Sequence, residues 1–104
     1  MRRGEVWWAE LPAPAGRRPV VLLSRDEAYA VRSLVTVAPV TTRIRRIPVE
    51  VPLGAAEGLS RDCVANLDTI TTIPRARLKA RAGVLGGAKI TAMEEAIAFA
   101  LGLD

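Results

Sequence analysis

Gly16-Arg17-Arg18-Pro19-Val20-Val21-Leu22-Leu23-Ser24 decides the fold of this chain. After Pro19 the residues run as unbroken valine and leucine, the pattern of a β-strand buried on both faces. Pro19 restricts Arg18 to extended backbone, which narrows where its side chain points. Two arginines therefore stand at the mouth of a rigid strand. A guanidinium is planar, permanently charged and matched to phosphate oxygens two at a time, and a strand end holds such a fork still. The 104-residue chain contains no histidine, so chemistry on phosphates must run without imidazole acid/base catalysis. Arginine is left as the obvious electrophile.

Working outward, Glu5 to Leu11 is rich in strand formers and stops at the turn-rich Pro12-Ala13-Pro14-Ala15-Gly16. Asp26 is placed to cap a short helical turn reaching Val31. Leu34 to Val40 reads as another strand, with Pro39 marking an edge or a bulge. Thr41 to Arg46 is a polar, basic loop, and Ile47 to Leu53 alternates with period two, its two prolines suggesting an edge strand. Asp62 to Leu67 is a further strand, and Asp68 to Ile73 either continues it or bends away. Pro74 to Leu78 has the form of one helical turn with proline first, and Ala80 to Leu85 that of a last strand closed by Gly86-Gly87. From Ala88 the period changes. Ile90, Met93, Ile97 and Leu101 recur at three and four, Thr91 and Glu94 have capping-box spacing, and Gly102 stops the pattern. Some six short strands before one real helix, with no strand–helix alternation, exclude a doubly wound parallel sheet. The expected fold is mainly β, a mostly antiparallel barrel-like sheet with a C-terminal helix, in one domain spanning residues 1–104.

Half the residues are apolar but aromatics are scarce, so the core must be built from Val, Leu, Ile and Ala. The net charge of +4 raises the expectation of a polyanionic partner. Its distribution is uneven: residues 1–52 hold nine arginines against five acids, whereas residues 53–104 balance six bases with six acids. Codon bias accounts for arginine outnumbering lysine, but not for this clustering. Cys63 is the only cysteine, so an intramolecular disulfide is excluded, and with no histidine a zinc site has no ligand set. No metal or other cofactor is expected. The basic N-terminus meets Glu5 before any apolar run, unlike a signal peptide. No apolar stretch approaches the roughly 18–20 residues of a membrane span. The expected setting is the cytoplasm.

Three features carry candidate chemistry. Arg17-Arg18 alone reads as a solvated turn, and it is Pro19 that fixes it. Thr41-Thr42-Arg43-Ile44-Arg45-Arg46 leaves the end of a buried strand, pairs hydroxyls with three arginines and holds no acid, a composition suited to phosphate contacts. Trp7 and Trp8 are adjacent on a strand and so face opposite sides. One is expected in the core; the other offers a stacking platform for a base or sits in a dimer interface. Cys63 reads as an inert buried residue; Asn66 and Asp68 read either as active-site polar groups or as turn or cap residues, with the turn or cap role favoured.

Taken in this order, the segments resemble the MazF/PemK family of toxins from toxin–antitoxin modules. The resemblance runs through Arg3-Gly4-Glu5-Val6-Trp7, the Arg17–Ser24 motif, Val37-Ala38-Pro39-Val40-Thr41-Thr42 and Glu50-Val51-Pro52-Leu53, and on through Leu67-Asp68, Arg77-Leu78 and the terminal helix. It implies an SH3-like barrel of the CcdB/PemK toxin type, usually a homodimer, that cleaves single-stranded RNA at short sequences without metal. The implied products are a 2′,3′-cyclic phosphate and a 5′-hydroxyl. By position, Arg18 and Thr41 match the family's catalytic arginine and threonine. Arg17, Ser24, Thr42, Arg43, Arg45 and Arg46 are the expected RNA contacts, and a MazE-like cognate antitoxin is the implied protein partner. The segment Pro12 to Arg17 is shorter than is common in the family, and Thr69 and Thr71 stand where many members have Gln and Arg. Two other readings remain at this point: a CcdB-like binder of a protein target such as DNA gyrase, and a silent SH3-like RNA-binding module. The first relies on a tryptophan near the C-terminus, where this chain has Ala100-Leu101-Gly102-Leu103-Asp104.

Overall fold

A computed structural model describes residues 1–103. The run that opens with Arg17 forms β2 (Arg17–Leu22), which lies in the middle of one curved sheet between β1 (Glu5–Glu10) and β3 (Leu34–Thr41). β3 also pairs with β5 (Cys63–Asn66), and β5 with β4 (Glu50–Leu53), while β7 (Leu78–Val84) closes the other side on β1. β6 (Thr71–Pro74) pairs with the first half of β3. Every pairing among the described residues is antiparallel. Among the described residues there are two α-helices, the single turn α1 (Ala28–Val31) and the terminal α2 (Gly87–Leu101). The mainly β, antiparallel half-barrel with its C-terminal helix is as the sequence predicts.

Val20 and Val21 show why β2 is apolar throughout. Both are fully buried, yet they belong to different cores. Val21 packs with Val6, Ala38, Leu67 and Met93 of α2 on one face. Val20 packs with Leu22, Val35, Val37 and Leu78 on the other. Burying each such side chain contributes about 1.5–3 kcal/mol, so this strand anchors both halves of the molecule.

Several local expectations are corrected by tertiary context. Pro39 sits not on an edge but in the central strand, opposite Val20. It falls between the residues of β3 that pair with β6, ending at Val37, and those that pair with β5, beginning at Val40. A missing N–H costs least where the ladder changes partner. The edge strand after the basic loop is real but begins at Glu50, because Ile47 to Val49 turn: the Glu50 N–H donates to the Ile47 carbonyl at 3.0 Å. Asp68 to Ile73 bends away through a 3₁₀ turn at Leu67–Thr69. Asp26 does not cap α1; its Oδ1 accepts the Arg3 N–H at 2.8 Å. Thr91 and Glu94 form no capping box, since the residue preceding α2 is Gly86. Thr91 Oγ1 instead donates to the Gly87 carbonyl at 3.2 Å, and Glu94 pairs with Arg3 at 3.1 Å. The helix does end at Gly102, in the left-handed region at φ 68°. Leu101, expected on its apolar face, is exposed, and Ala96 is buried there instead.

Candidate active site

Arg17 and Arg18 are consecutive on β2, so their side chains leave opposite faces of the sheet. The pair at the strand mouth is thus split into two unlike environments. Arg17 extends over the Trp8 ring, 5.1 Å from its centroid, a cation–π arrangement. Together with Thr42 and Arg61 it lines a cleft of about 290 Å³. Arg18 faces the other side. The antiparallel register of β2 on β3 pairs Val20 with Pro39 and Val21 with Ala38. Carried two residues back along β2, that register sets Arg18 opposite Thr41, and directly opposed residues share a face. The two side chains line one cleft of about 380 Å³.

This cleft gathers the cations Arg18, Arg43 and Arg45 with Thr41, Glu50 and Asn66. Arg18 is opposite Ala9 of β1. Arg18 Nε is shielded from water and has no hydrogen-bond partner. An unpaired buried donor costs about 1–3 kcal/mol, so the protein holds this group poised at some expense. Thr41 Oγ1 accepts the Arg43 N–H at 3.1 Å, which leaves its own proton to be donated into the cleft. Glu50 Oε1 accepts the N–H groups of both Arg45 and Arg46, each at 2.9 Å. It thereby fixes the basic loop, including Arg46 at φ 58°, a left-handed conformation rare outside glycine. Asn66 takes the turn role expected of it: its Oδ1 accepts the Asp68 N–H at 2.9 Å.

Not every expected contact converges here. Thr42 and Arg17 border the neighbouring Trp8 cleft, which Thr41 also reaches from the strand end. Arg46 lines a third cleft beside Lys89. Ser24 lies elsewhere: its Oγ accepts the Thr36 N–H at 2.8 Å, and it borders a separate hollow with Arg25 and Arg32. Neither Ser24 nor Arg46 therefore shares a cleft with Arg18. The expectation that one tryptophan fills the core is corrected too, because both are half-buried. Trp7 donates its indole N–H to Glu5 Oε1 at 2.9 Å, and that bond helps hold the Glu5 carboxyl below its usual range although burial opposes it. The sequence reading missed Glu50, Thr69 and Thr71 as cleft residues. For Glu50 a signal existed: it is the first acid after a run of bases.

Cys63 behaves as expected of a buried thiol. It is 5% exposed, its Sγ donates to the Leu53 carbonyl at 3.7 Å, and burial, reinforced by Glu57 and Asp62, pushes its pKa up. Thiolate is the reactive form. Native protein is therefore expected to resist alkylation at neutral pH and to react fully once unfolded, as followed by mass spectrometry of iodoacetamide-treated samples.

Comparison with known proteins settles the family. The model of the PemK-like, MazF-like toxin of type II toxin–antitoxin system matches residues 2–101. The chain belongs to this family. Among its relatives is endoribonuclease MazF9 of Mycobacterium tuberculosis, 36% identical over 99% of this chain and 98% of that protein. The solved Mycobacterium tuberculosis toxin MazF-mt6 superposes with a TM-score of 0.89 at 36% identity, covering 96% of this chain and 98% of the other. An endoribonuclease in complex with its cognate antitoxin, from a mycobacterial species, gives a TM-score of 0.87 at 28% identity over 100% of this chain and 97% of its own. A PemK-like, MazF-like toxin is thus the frame for the cleft. No helix among the described residues is long and apolar enough to cross a membrane.

Proposed function

We infer that this chain is the endoribonuclease toxin of a type II module and cuts single-stranded RNA at the Arg18–Thr41 cleft. The observation that carries the reading is the register of β2 on β3, which sets a fixed cation and a hydroxyl on one face beside Arg43 and Arg45. The family match and the endoribonuclease relatives support it. In the proposed reaction the ribose 2′-hydroxyl attacks the adjacent phosphorus and the P–O5′ bond breaks. The products are a 2′,3′-cyclic phosphate and a 5′-hydroxyl. Arg18 stabilises the charge that builds on the phosphorane oxygens, and Thr41 donates to a non-bridging oxygen. Arg43 and Arg45 hold flanking phosphates, while Arg17 and Thr42 lie along the continuation of the strand past Trp8. The proposed reaction uses no metal.

The test is incubation with long single-stranded RNA in EDTA, followed by end-group analysis of the fragments. Discrete cuts bearing cyclic phosphate and 5′-hydroxyl ends are expected; intact RNA, or 5′-phosphate ends, would contradict the reading. Thr41→Val, which removes the hydroxyl and keeps the shape, is expected to slow single-turnover cleavage about 10²-fold without changing RNA affinity to a similar extent. For binding, Arg43→Ala and Arg45→Ala are each expected to lower the slope of log affinity against log salt by about 0.7, the share of one phosphate contact on a single strand.

The partners follow from the same chemistry. A cognate antitoxin with an acidic segment competes for the cations that hold RNA, in keeping with the relative solved with its cognate antitoxin. The toxin acts as a homodimer in the cytoplasm, and exposed Phe99, Leu101 and Leu103 at the end of α2 are apolar surface in keeping with a partner.

A further inference from the structure

The cleft has cations and a hydroxyl for the phosphate but needs a group that takes the proton of the attacking 2′-hydroxyl. A guanidinium cannot serve, because it stays protonated throughout the working range of pH. Neither a threonine hydroxyl nor the amide of Asn66 accepts a proton at neutral pH. Among the described residues that line the cleft, Glu50 is the one carboxylate, and none is a lysine, tyrosine or cysteine. An acid in a cleft otherwise built for phosphates opposes binding by simple repulsion, so its presence calls for a compensating use.

One use is already visible. Glu50 Oε1 clamps the loop through the Arg45 and Arg46 N–H groups. The second oxygen is unexplained. Glu50 Oε2 is shielded from water and has no hydrogen-bond partner. Among the described residues two side-chain atoms are left in that condition, Arg18 Nε and Glu50 Oε2, and both residues line this cleft. One atom is a donor and the other an acceptor, yet Arg18 and Glu50 form no ion pair within 4.0 Å. A group bound between them would accept from the first and donate to the second. A hydroxyl does this.

We propose that Glu50 is the general base of the reaction, its Oε2 taking the proton of a ribose 2′-hydroxyl that at the same moment accepts from Arg18 Nε–H. The inference rests on the ribonuclease reading above and deepens it. The proton passes from the 2′-oxygen to Glu50 Oε2, the 2′-oxygen bonds to phosphorus, the P–O5′ bond breaks, and the leaving 5′-oxygen takes a proton from water. Glu50 then returns its proton to solvent.

Glu50→Gln separates this role from the loop clamp, since the amide oxygen still accepts the Arg45 and Arg46 N–H groups but the side chain no longer accepts a proton. Its single-turnover cleavage rate is expected to fall by about 10²–10⁴-fold, with RNA affinity unchanged or improved. The pH profile gives the readout that a structural role would not move. The charged groups that line the cleft with Glu50 are Arg18 on β2 and Arg43 and Arg45 on the loop. The wild-type rate is therefore expected to fall tenfold per pH unit on the acid side, and Glu50→Gln to lose that limb. Cleavage by Glu50→Gln within threefold of wild type, or an acid limb that survives in it, overturns the proposal while leaving the ribonuclease reading in place if Arg18→Ala is inactive. Should Glu50→Gln fail to fold, a wild-type profile that stays flat through the acid range overturns the proposal by itself. RNA left intact by the wild-type protein would instead fell the ribonuclease reading.

Discussion

Arg18→Ala is expected to lower single-turnover cleavage of single-stranded RNA by at least 10²–10³-fold, the usual cost of losing one preorganised donor to a developing oxyanion. A larger loss is expected, since a full positive charge leaves with the donor. The folded state is not the reason. Arg18 Nε is shielded and unpartnered, so the substitution removes a group that costs stability where it stands. Arg18→Ala is accordingly expected to melt no lower than wild type, and activity and stability separate in one variant. Arg17→Ala is the internal comparison. Its guanidinium lies on the opposite face over Trp8, so it is expected to weaken RNA binding and leave the cleavage step of bound RNA within a few-fold. Equal losses in the chemical step from both substitutions would show that the two faces of β2 do not divide the labour as described.

The largest stability effect is expected far from the cleft, where the turn after Leu53 meets β7. Gly58 has φ +83°, and a Cβ placed on it would lie 2.0 Å from the Ala82 carbonyl oxygen. Gly83, facing it, would put a Cβ 2.2 Å from the Glu57 carbonyl oxygen. Neither neighbour is a flexible side chain. Two backbones touch, and only glycine on both sides lets them. Gly58→Ala is therefore expected to cost about 3 kcal/mol or more, from left-handed strain plus overpacking, a fall in Tm of roughly 12 °C in a domain of this size. Gly102→Ala has a similar positive φ of +68° but nothing within 4 Å of its Cβ, so about 1 kcal/mol of strain alone is expected there. Thermal melts that show the two variants alike would refute the close-contact explanation.

These contrasts show which features a sequence reader could reach. The unbroken apolar run of β2 forecasts a strand buried on both faces, and Val20 and Val21 in separate cores bear that out. The same period-two rule that places Trp7 and Trp8 on opposite sides also splits Arg17 from Arg18, and it was available at the outset. That Arg18 and not Arg17 meets Thr41 was legible only through the family resemblance, because the local pattern does not set the register of β2 on β3, a pairing fixed by the whole sheet. Glu50 was legible as a strand residue and as the first acid after the basic loop, but its place in the cleft was not, for the same reason: it sits on β4, which β5 and β3 separate from β2. Thr91 and Glu94 mislead through a correct local rule. Their spacing suits a cap, but Arg3, far away in sequence, takes the Glu94 carboxylate. Pro39 misleads likewise, since an edge is only one of the places where a strand can spare an N–H.

The most direct measurement is a crystal structure of the protein with a short single-stranded RNA whose scissile ribose lacks its 2′-hydroxyl, so that it binds without reacting. The scissile phosphate is expected to rest with its non-bridging oxygens about 3 Å from the Arg18 guanidinium and Thr41 Oγ1. A scissile phosphate seated instead on the Arg17–Trp8 face, out of reach of both, would contradict the account.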